Sequence, residues 1–286
     1  MGDGDGWARC DLGHVHWGRY GAAGLLVFHR EPDGEPYVLL QQRAWWCNGG
    51  GTWGMFGGGR HSGEDPVMAA LRETSEECTL DVTGLRVHGF TVDDHGGGWG
   101  FTTVVASMAS RPDVGPASME TRDAAWVSAA QVRGLRLFAP FKATWPKLST
   151  TMSRLVLVVD AANVMGSRPD GWWRDRAGAA ERLRDQLAPL AGSGVTGLPE
   201  GVSPCDRTFP EVVLVVEGAA RHVPGAEGVR VVPAKGSGDD AIVDLVAEKE
   251  PDTTYLVVTA DRELRARSEA QGAKVTGPGW LLDRLG

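Results

Sequence analysis

Glu73, Glu76 and Glu77 stand at i, i+3 and i+4 in a stretch that reads as helix, so their carboxylates leave from one side of it. Three like charges that close repel one another. A hard divalent cation removes the repulsion, because Mg²⁺ prefers oxygen ligands and shares them with substrate phosphates. A solvated acidic helix face is the competing reading of such a charge run. Just upstream, Gly57-Gly58-Gly59-Arg60-His61-Ser62-Gly63 is a glycine-rich loop, and Pro66 suits the first helical turn, where its missing N–H costs no hydrogen bond. Val67, Ala70, Leu71 and Thr74 recur at three- and four-residue steps and form the expected buried face.

The spacing decides between the two readings. From Gly58, five residues lead to Glu64 and seven more to Arg72-Glu73-Thr74-Ser75-Glu76-Glu77. This resembles the Nudix box, G-x5-E-x7-R-E-U-x-E-E-x-G-U with U aliphatic, and every charged position agrees. Thr74 occupies the first U position, and Met55-Phe56-Gly57-Gly58 replaces the Leu-Pro-Gly-Gly common upstream. Thr79 stands where the last glycine is expected, a change that bears on how the helix terminates. The similarity covers residues 15–148, including Trp17-Gly18-Arg19-Tyr20-Gly21-Ala22-Ala23-Gly24 and Gly98-Trp99-Gly100-Phe101-Thr102-Thr103-Val104. Glu120-Thr121-Arg122-Asp123-Ala124-Ala125-Trp126-Val127 is similar to a late family segment in which an acid precedes a tryptophan-bearing strand.

The resemblance implies an α/β/α sandwich with a mixed sheet. It implies Mg²⁺ or Mn²⁺ held by Glu73, Glu76 and Glu77 with a backbone carbonyl at Gly58 or its neighbour. The implied reaction is hydrolysis of the pyrophosphate bond in a nucleoside diphosphate linked to another group, of nucleoside triphosphate, nucleotide-sugar or ADP-ribose type. Glu73 or Glu120 would serve as base, Arg72 would orient the glutamates, and Glu64 would support the loop–helix junction.

The surrounding elements must position these groups. Ala22–Phe28 and Tyr37–Arg43 are apolar runs around a polar turn, a hairpin pattern. Trp45-Trp46 opens a glycine-rich loop, where an indole can stack on a base or pack on a sheet edge. Leu85–Val92 and Gly100–Ala106 read as further strands, with Asp94 and His95 in the loop between them; such residues usually serve turn chemistry. Ala129 begins a short helix. Residues 1–19 are expected to lie loosely on the surface, and His14 and His16 lack a third metal-ligating partner nearby in sequence.

A second pattern follows Trp145–Ser153, which reads as a connector, with the linker proper at 149–153. Leu155–Val159, Val212–Val216, Val229–Val232 and Tyr255–Val258 are buried-type strands separated by helical stretches, which predicts a doubly wound parallel α/β domain over 154–286. Asp160 and Asp261 follow two of these strands, where sites in such folds lie, and Asp239-Asp240 opens a helix. Singly, each acid reads as a helix cap. Together, Asp160-Ala161-Ala162-Asn163, Asp239-Asp240 and Thr259-Ala260-Asp261 resemble the NYN/PIN-like nucleases, which implies Mg²⁺ or Mn²⁺ on Asp160, Asp239, Asp240 and Asp261, Asn163 positioning substrate, and RNA as the target. Residues 191–209 carry no functional pattern. The alternative for the whole chain is a nucleotide-sensing Nudix domain that regulates an RNA-cleaving nuclease.

Composition bounds these readings. The 286 residues allow two domains, 42% are hydrophobic, and no apolar run approaches a membrane span. A net charge of −8 argues against broad electrostatic wrapping of nucleic acid, though not against an acidic metal-dependent nuclease site. Cys10, Cys47, Cys78 and Cys205 are scattered without a CxxC pair, so they read as reduced thiols and not as a zinc site. The first residues show neither a basic region nor an apolar core of a secretory signal, which gives a cytoplasmic expectation.

Overall fold

The computed structural model describes residues 2–169, 171–248 and 250–285. Contacts divide the chain into two units, Met1–Met152 with Pro204–Asp206, and Ser153–Ser203 with Arg207–Gly286.

The first unit begins with an antiparallel hairpin, β1 (Trp7–Arg9) and β2 (Val15–Trp17), where a loose surface segment was expected. The elements that follow are β3 (Ala22–Arg30), β4 (Pro36–Arg43), β5 (Trp53–Gly54), β6 (Phe56–Gly59) and α1 (Pro66–Glu77). They are completed by β7 (Arg86–Asp94), β8 (Gly100–Ser107), β9 (Thr121–Ser128) and α2 (Ala139–Leu148). Neighbouring strands run β7-β8-β3-β4-β5, with β6 added to β3 and β9 to β4. β3 is parallel to β8 and antiparallel to β4 and β6, so the sheet is mixed.

Alternation along β3 explains the layers. Leu25 and Val27 pack with Ala69 and Ala70 of α1, whereas Leu26 and Phe28 pack with Phe141, Trp145 and Leu148 of α2. Trp145 and Leu148 are therefore buried helix residues, and the part of the connector read at 145–148 is core. The short helix expected from Ala129 is one turn of 3₁₀ helix at Val132–Gly134.

The second unit contains β10 (Arg154–Asp160), α3 (Ala161–Gly166), α4 (Arg176–Ser193), β11 (Arg207–Thr208), β12 (Glu211–Val216) and β13 (Val229–Pro233). It continues with α5 (Gly238–Ala247), β14 (Thr253–Val258), α6 (Arg262–Ala270), β15 (Lys274–Thr276) and α7 (Pro278–Leu285). Five of the strands form a parallel sheet in the order β13-β12-β10-β14-β15. Leu155, Leu157 and Val159 pack with Leu183 and Leu187 of α4 and Leu281 of α7; Val156 and Val158 pack with Ile242 of α5 and Leu264 of α6. Burial on both faces is why these strands are continuous Val/Leu runs. Within 191–209, Val195 and Thr208 form an antiparallel bridge.

Candidate functional site

In the first unit, α1 starts where Asp65 accepts the N–H groups of Val67 and Met68, with Pro66 next in line. Ala69, Ala70 and Thr74 are buried, and Val67 and Leu71 border the same core. The buried Thr74 hydroxyl is satisfied locally, donating to the Ala70 carbonyl at 2.8 Å. Past the helix, Thr79 exchanges two bonds with Gly115: its N–H donates to the Gly115 carbonyl and its hydroxyl accepts the Gly115 N–H. The chain leaves α1 through an extended Cys78, so a left-handed glycine is unnecessary there. Thr79 instead ties the helix end to the loop at 115.

Arg72 organises the acids. Its Nε and Nη2 each donate to one oxygen of Glu64 at 2.9 Å, Nη2 also donates to the Gly59 carbonyl at 3.0 Å, and Nη1 donates to Glu73 at 2.7 Å. Glu76 lies 3.6 Å from Nη1 and is largely exposed. Glu64 also accepts the His61 N–H, and the bonds from Arg72 hold its pKa down to about 2. Glu64 is thereby a permanent anion that spans the loop and the helix.

Glu73 and Glu77 have the opposite electrostatics. Burial pushes both carboxyls up, Glu77 to about 7, and their mutual repulsion adds to the Glu77 shift. Glu77 accepts from Gln41 Nε2 at 2.9 Å and from the Gly57 N–H at 3.4 Å. Gln41 is itself buried and accepts from the Thr121 hydroxyl. Sequence reasoning passed over Gln41; its trace is a lone amide after Leu39-Leu40 in a buried strand. Gly58 lies against the Glu73 carboxylate so closely that a Cβ there would stand 2.3 Å from Oε2. Gly57, at φ +154°, would drive a Cβ to 2.4 Å from the Ala23 carbonyl. Gly58 thus lets the loop backbone approach Glu73, and Gly57 lets it pack against β3.

Half-buried carboxylates with raised proton affinity, close to one another and to a glycine backbone, form an all-oxygen donor set that fits a hard divalent cation. Glu120 is exposed just before β9; its carbonyl accepts the Ala44 N–H. Its charge and that of Glu77 both act on the Cys47 thiol, whose pKa is raised chiefly by burial. Trp45 and Trp46 are exposed on the loop after β4, and the Arg122 guanidinium lies 4.9 Å from the Trp45 ring centre. Asp94 serves turn chemistry, accepting the Gly96 N–H.

In the second unit, a cavity of about 450 Å³ is lined by Asp160, Asn163, Glu217, Asp239 and Asp261 among others. It lies where strand order reverses on either side of β10, the usual binding crevice of such sheets. Asp160 ends β10; its oxygens accept the Asn163 N–H at 3.1 Å and the Thr259 hydroxyl at 2.9 Å. Asn163 Oδ1 accepts the Ala260 N–H, which joins the ends of β10 and β14. Asp261 caps α6 through the Leu264 N–H. Burial raises the Asp160 pKa; burial and then Asp261 raise that of Asp239.

Asp240, read with Asp239 as one pair, is not among the lining residues. Adjacent positions on a helix point apart, and its carboxylate bonds Arg267 at 2.6 Å, which lowers its pKa. Glu217 occupies the cavity wall instead, accepting the Gly238 N–H at 2.7 Å. It follows the Val212–Val216 strand as Asp160 follows its own, and that position was its sequence trace.

A model of the NUDIX domain matches residues 20–148. "Putative 8-oxo-dGTP diphosphatase 3" of Mycobacterium tuberculosis (strain ATCC 25618 / H37Rv) is 44% identical over 164 residues, spanning 54% of this chain and 74% of that protein. A "Nucleoside triphosphate pyrophosphatase/Nudix hydrolase fusion protein" of Bifidobacterium longum is 37% identical over 156 residues, 53% of this chain and 32% of its own length. The crystal structure of a Nudix hydrolase from M. smegmatis shares 40% identity over 51% of this chain and 93% of its own, at a TM-score of 0.48. Among the described residues, no helix is long and apolar enough to cross a membrane.

Proposed function

The chain belongs to the Nudix hydrolase family, and from that premise we propose that its first unit is a Mg²⁺-dependent pyrophosphohydrolase of a nucleoside diphosphate linked to a further group. The observation that carries this reading is the pairing of the raised-pKa acids Glu73 and Glu77 with the Gly57-Gly58 backbone, Glu73 held by Arg72 and Glu77 by Gln41 and the Gly57 N–H. Glu73, Glu76 and Glu77, with a loop carbonyl at Gly58, would hold Mg²⁺ or Mn²⁺. When bound, the ion supplies neutralisation of the diphosphate charge and acidification of water.

The chain's own residues do the rest. Arg72 and Glu64 fix the acids with respect to the loop, Gln41 and the Gly57 N–H orient Glu77, and Glu73 or Glu120 takes the proton from water. Trp45 and Trp46 offer exposed ring faces to a base. The mycobacterial relative's name makes an oxidised purine nucleoside triphosphate the first substrate to assay, followed by nucleotide sugars and ADP-ribose. Full-length protein with Mg²⁺ is expected to release the corresponding monophosphate from at least one of these, and Glu77→Gln to abolish it. No release from any, or equal release by Glu77→Gln, overturns the proposal.

A second activity is favoured by the acid-lined cavity of the second unit, which we read as a metal-dependent ribonuclease of NYN/PIN-like type. Asp160, Asp239 and Asp261, joined by Glu217, would hold Mg²⁺ or Mn²⁺, with Asn163 fixing the two strand ends. The reading is of a cytoplasmic protein whose two units act on nucleotides and RNA. Should RNA cleavage depend on nucleotide bound to the first unit, the first unit is a sensor that regulates the second.

A further inference from the structure

Folding supplies the partners that His14 and His16 lack in sequence. In the β1–β2 hairpin Ala8 pairs with His16, so the alternate residues Cys10 and His14 share a face with His16. The turn between the strands is closed by the Cys10 N–H donating to the His14 carbonyl and the Gly13 N–H donating to the Cys10 carbonyl. The fourth residue arrives from the loop between β7 and β8. There Gly96, Gly97 and Gly98 have φ of +74°, +64° and +76°, a left-handed run that only glycine adopts cheaply. A Cβ on Gly96 or Gly97 would stand within 3 Å of the Asp11 carboxylate. The loop therefore presses on the hairpin turn and delivers His95.

Cys10 Sγ and one ring nitrogen each of His14, His16 and His95 all lie within 4.8 Å of one another. Cys10 is buried. His16 stacks on the buried Trp99 at 3.8 Å between ring centres, and Trp99 is itself fixed by its Nε1–H donating to the Gly18 carbonyl. Most telling, His16 Nε2 is buried and has no hydrogen-bond partner. A native fold rarely tolerates such a nitrogen without a ligand. Tetrahedral zinc with bonds of about 2.0–2.1 Å to nitrogen and 2.3 Å to sulfur spaces its ligand atoms ~3.3–3.6 Å apart. Contraction by roughly an ångström closes that shell.

We propose that Cys10, His14, His16 and His95 form a binding site for a borderline-soft divalent transition ion, Zn²⁺ foremost, distinct from the all-oxygen glutamate site. One thiolate and three imidazoles suit zinc and disfavour Mg²⁺. Four protein ligands leave no open position, so the ion is structural. Asp93 lies 3.7 Å from His95 Nε2, a carboxylate beside a ligand imidazole as metal sites commonly have. The ion staples the hairpin to the β7–β8 loop. Beyond the hairpin the N-terminal segment meets the glycine loop: Asp3 accepts the Ser62 N–H, and a Cβ on Gly4 would strike the Arg60 carbonyl. The staple thereby steadies one edge of the loop that carries Gly58.

The test is metal content of full-length protein after gel filtration in excess Mg²⁺, for wild type, Cys10→Ala, His95→Ala and Glu77→Gln. The expected result is one zinc per chain in wild type and Glu77→Gln, with zinc affinity reduced at least tenfold in Cys10→Ala and His95→Ala. Wild-type protein loaded with Co²⁺ is expected to show the thiolate-to-cobalt charge-transfer band and the intense visible bands of tetrahedral cobalt. That measurement needs no variant to fold. Wild type that retains no zinc, zinc lost with Glu77 and kept in Cys10→Ala, or a cobalt form without the thiolate band overturns the proposal.

Discussion

Arg72 grips Glu64 with two nitrogens, Nε and Nη2, each 2.9 Å from a different carboxylate oxygen. The fork leaves Nη1 to meet Glu73 at 2.7 Å. One guanidinium thus sets the distance between the glycine loop and the proposed metal acids, and a point-charge ammonium cannot copy that geometry. Arg72→Lys is expected to lower kcat/KM by about 10²-fold, since misplacing catalytic groups by an ångström costs that much. Stability is expected to fall by about 1–3 kcal/mol, because Glu64 stays as an underpaired, mostly buried anion. Urea unfolding and steady-state kinetics check the two figures. Arg72→Lys with wild-type kcat/KM would remove the organising role.

Gly58 separates packing from catalysis. Alanine there would place Cβ 2.3 Å from Glu73 Oε2 and 2.5 Å from its Cδ, while Gly58 has an ordinary negative φ. The atoms in the way belong to the end of a flexible side chain, so the fold yields by moving the carboxylate. Gly58→Ala is expected to change stability by less than about 1 kcal/mol and to reduce turnover by on the order of 10²-fold. Thermal denaturation beside kinetics distinguishes this from simple unfolding, which would lower both together.

These two positions show what was legible in the sequence. The helical spacing put Glu73, Glu76 and Glu77 on one side, and the resemblance to the Nudix box joined Gly58, Glu64 and Arg72 to them as one group. The buried strands were equally plain, because burial on both faces leaves continuous apolar runs such as Leu155–Val159. Residues whose role depends on what another segment brings to them were not plain. Gln41 is a strand amide until Glu77 and Thr121 reach it. Asp240 and Asp239 look equivalent until the helix turns one toward Arg267 and the other toward the cavity. His16 lacks partners until the β7–β8 loop supplies His95.

Glu77 gives a pH dependence with a definite sign. Its pKa rises from an ordinary 4.5 to about 7 in the folded chain. The folded state therefore holds the proton more tightly than the unfolded one. The protein without divalent ions is expected to lose stability as pH climbs from about 4.5 through 7, by on the order of 2–3 kcal/mol from this group. Mg²⁺ should restore much of that loss at pH 8, by binding only the folded state. Glu77→Gln is expected to raise the melting temperature of the ion-free protein at pH 8 and to blunt its response to Mg²⁺. A melting temperature that falls equally in both proteins between pH 5 and 8 would assign the trend to other groups.

In the second unit, the contrast between Asp160 and Asp240 tests the cavity as a site. Asp160→Asn preserves the cap on Asn163, since asparagine caps as well as aspartate, yet it removes a buried charge from the cavity wall. Glu217→Gln does the same on the β12 side while keeping an acceptor for the Gly238 N–H. Both are expected to depress Mn²⁺-dependent cleavage of single-stranded RNA by on the order of 10²-fold or more, as loss of a metal-ion ligand would. Asp240→Asn, whose partner is the exposed Arg267, is expected to stay within about threefold of wild type, in line with the small worth of surface ion pairs. Equal cleavage by wild type, Asp160→Asn and Glu217→Gln would mean that the cavity does not cut RNA. A loss confined to Asp240→Asn would put the reacting surface on the outer face of α5.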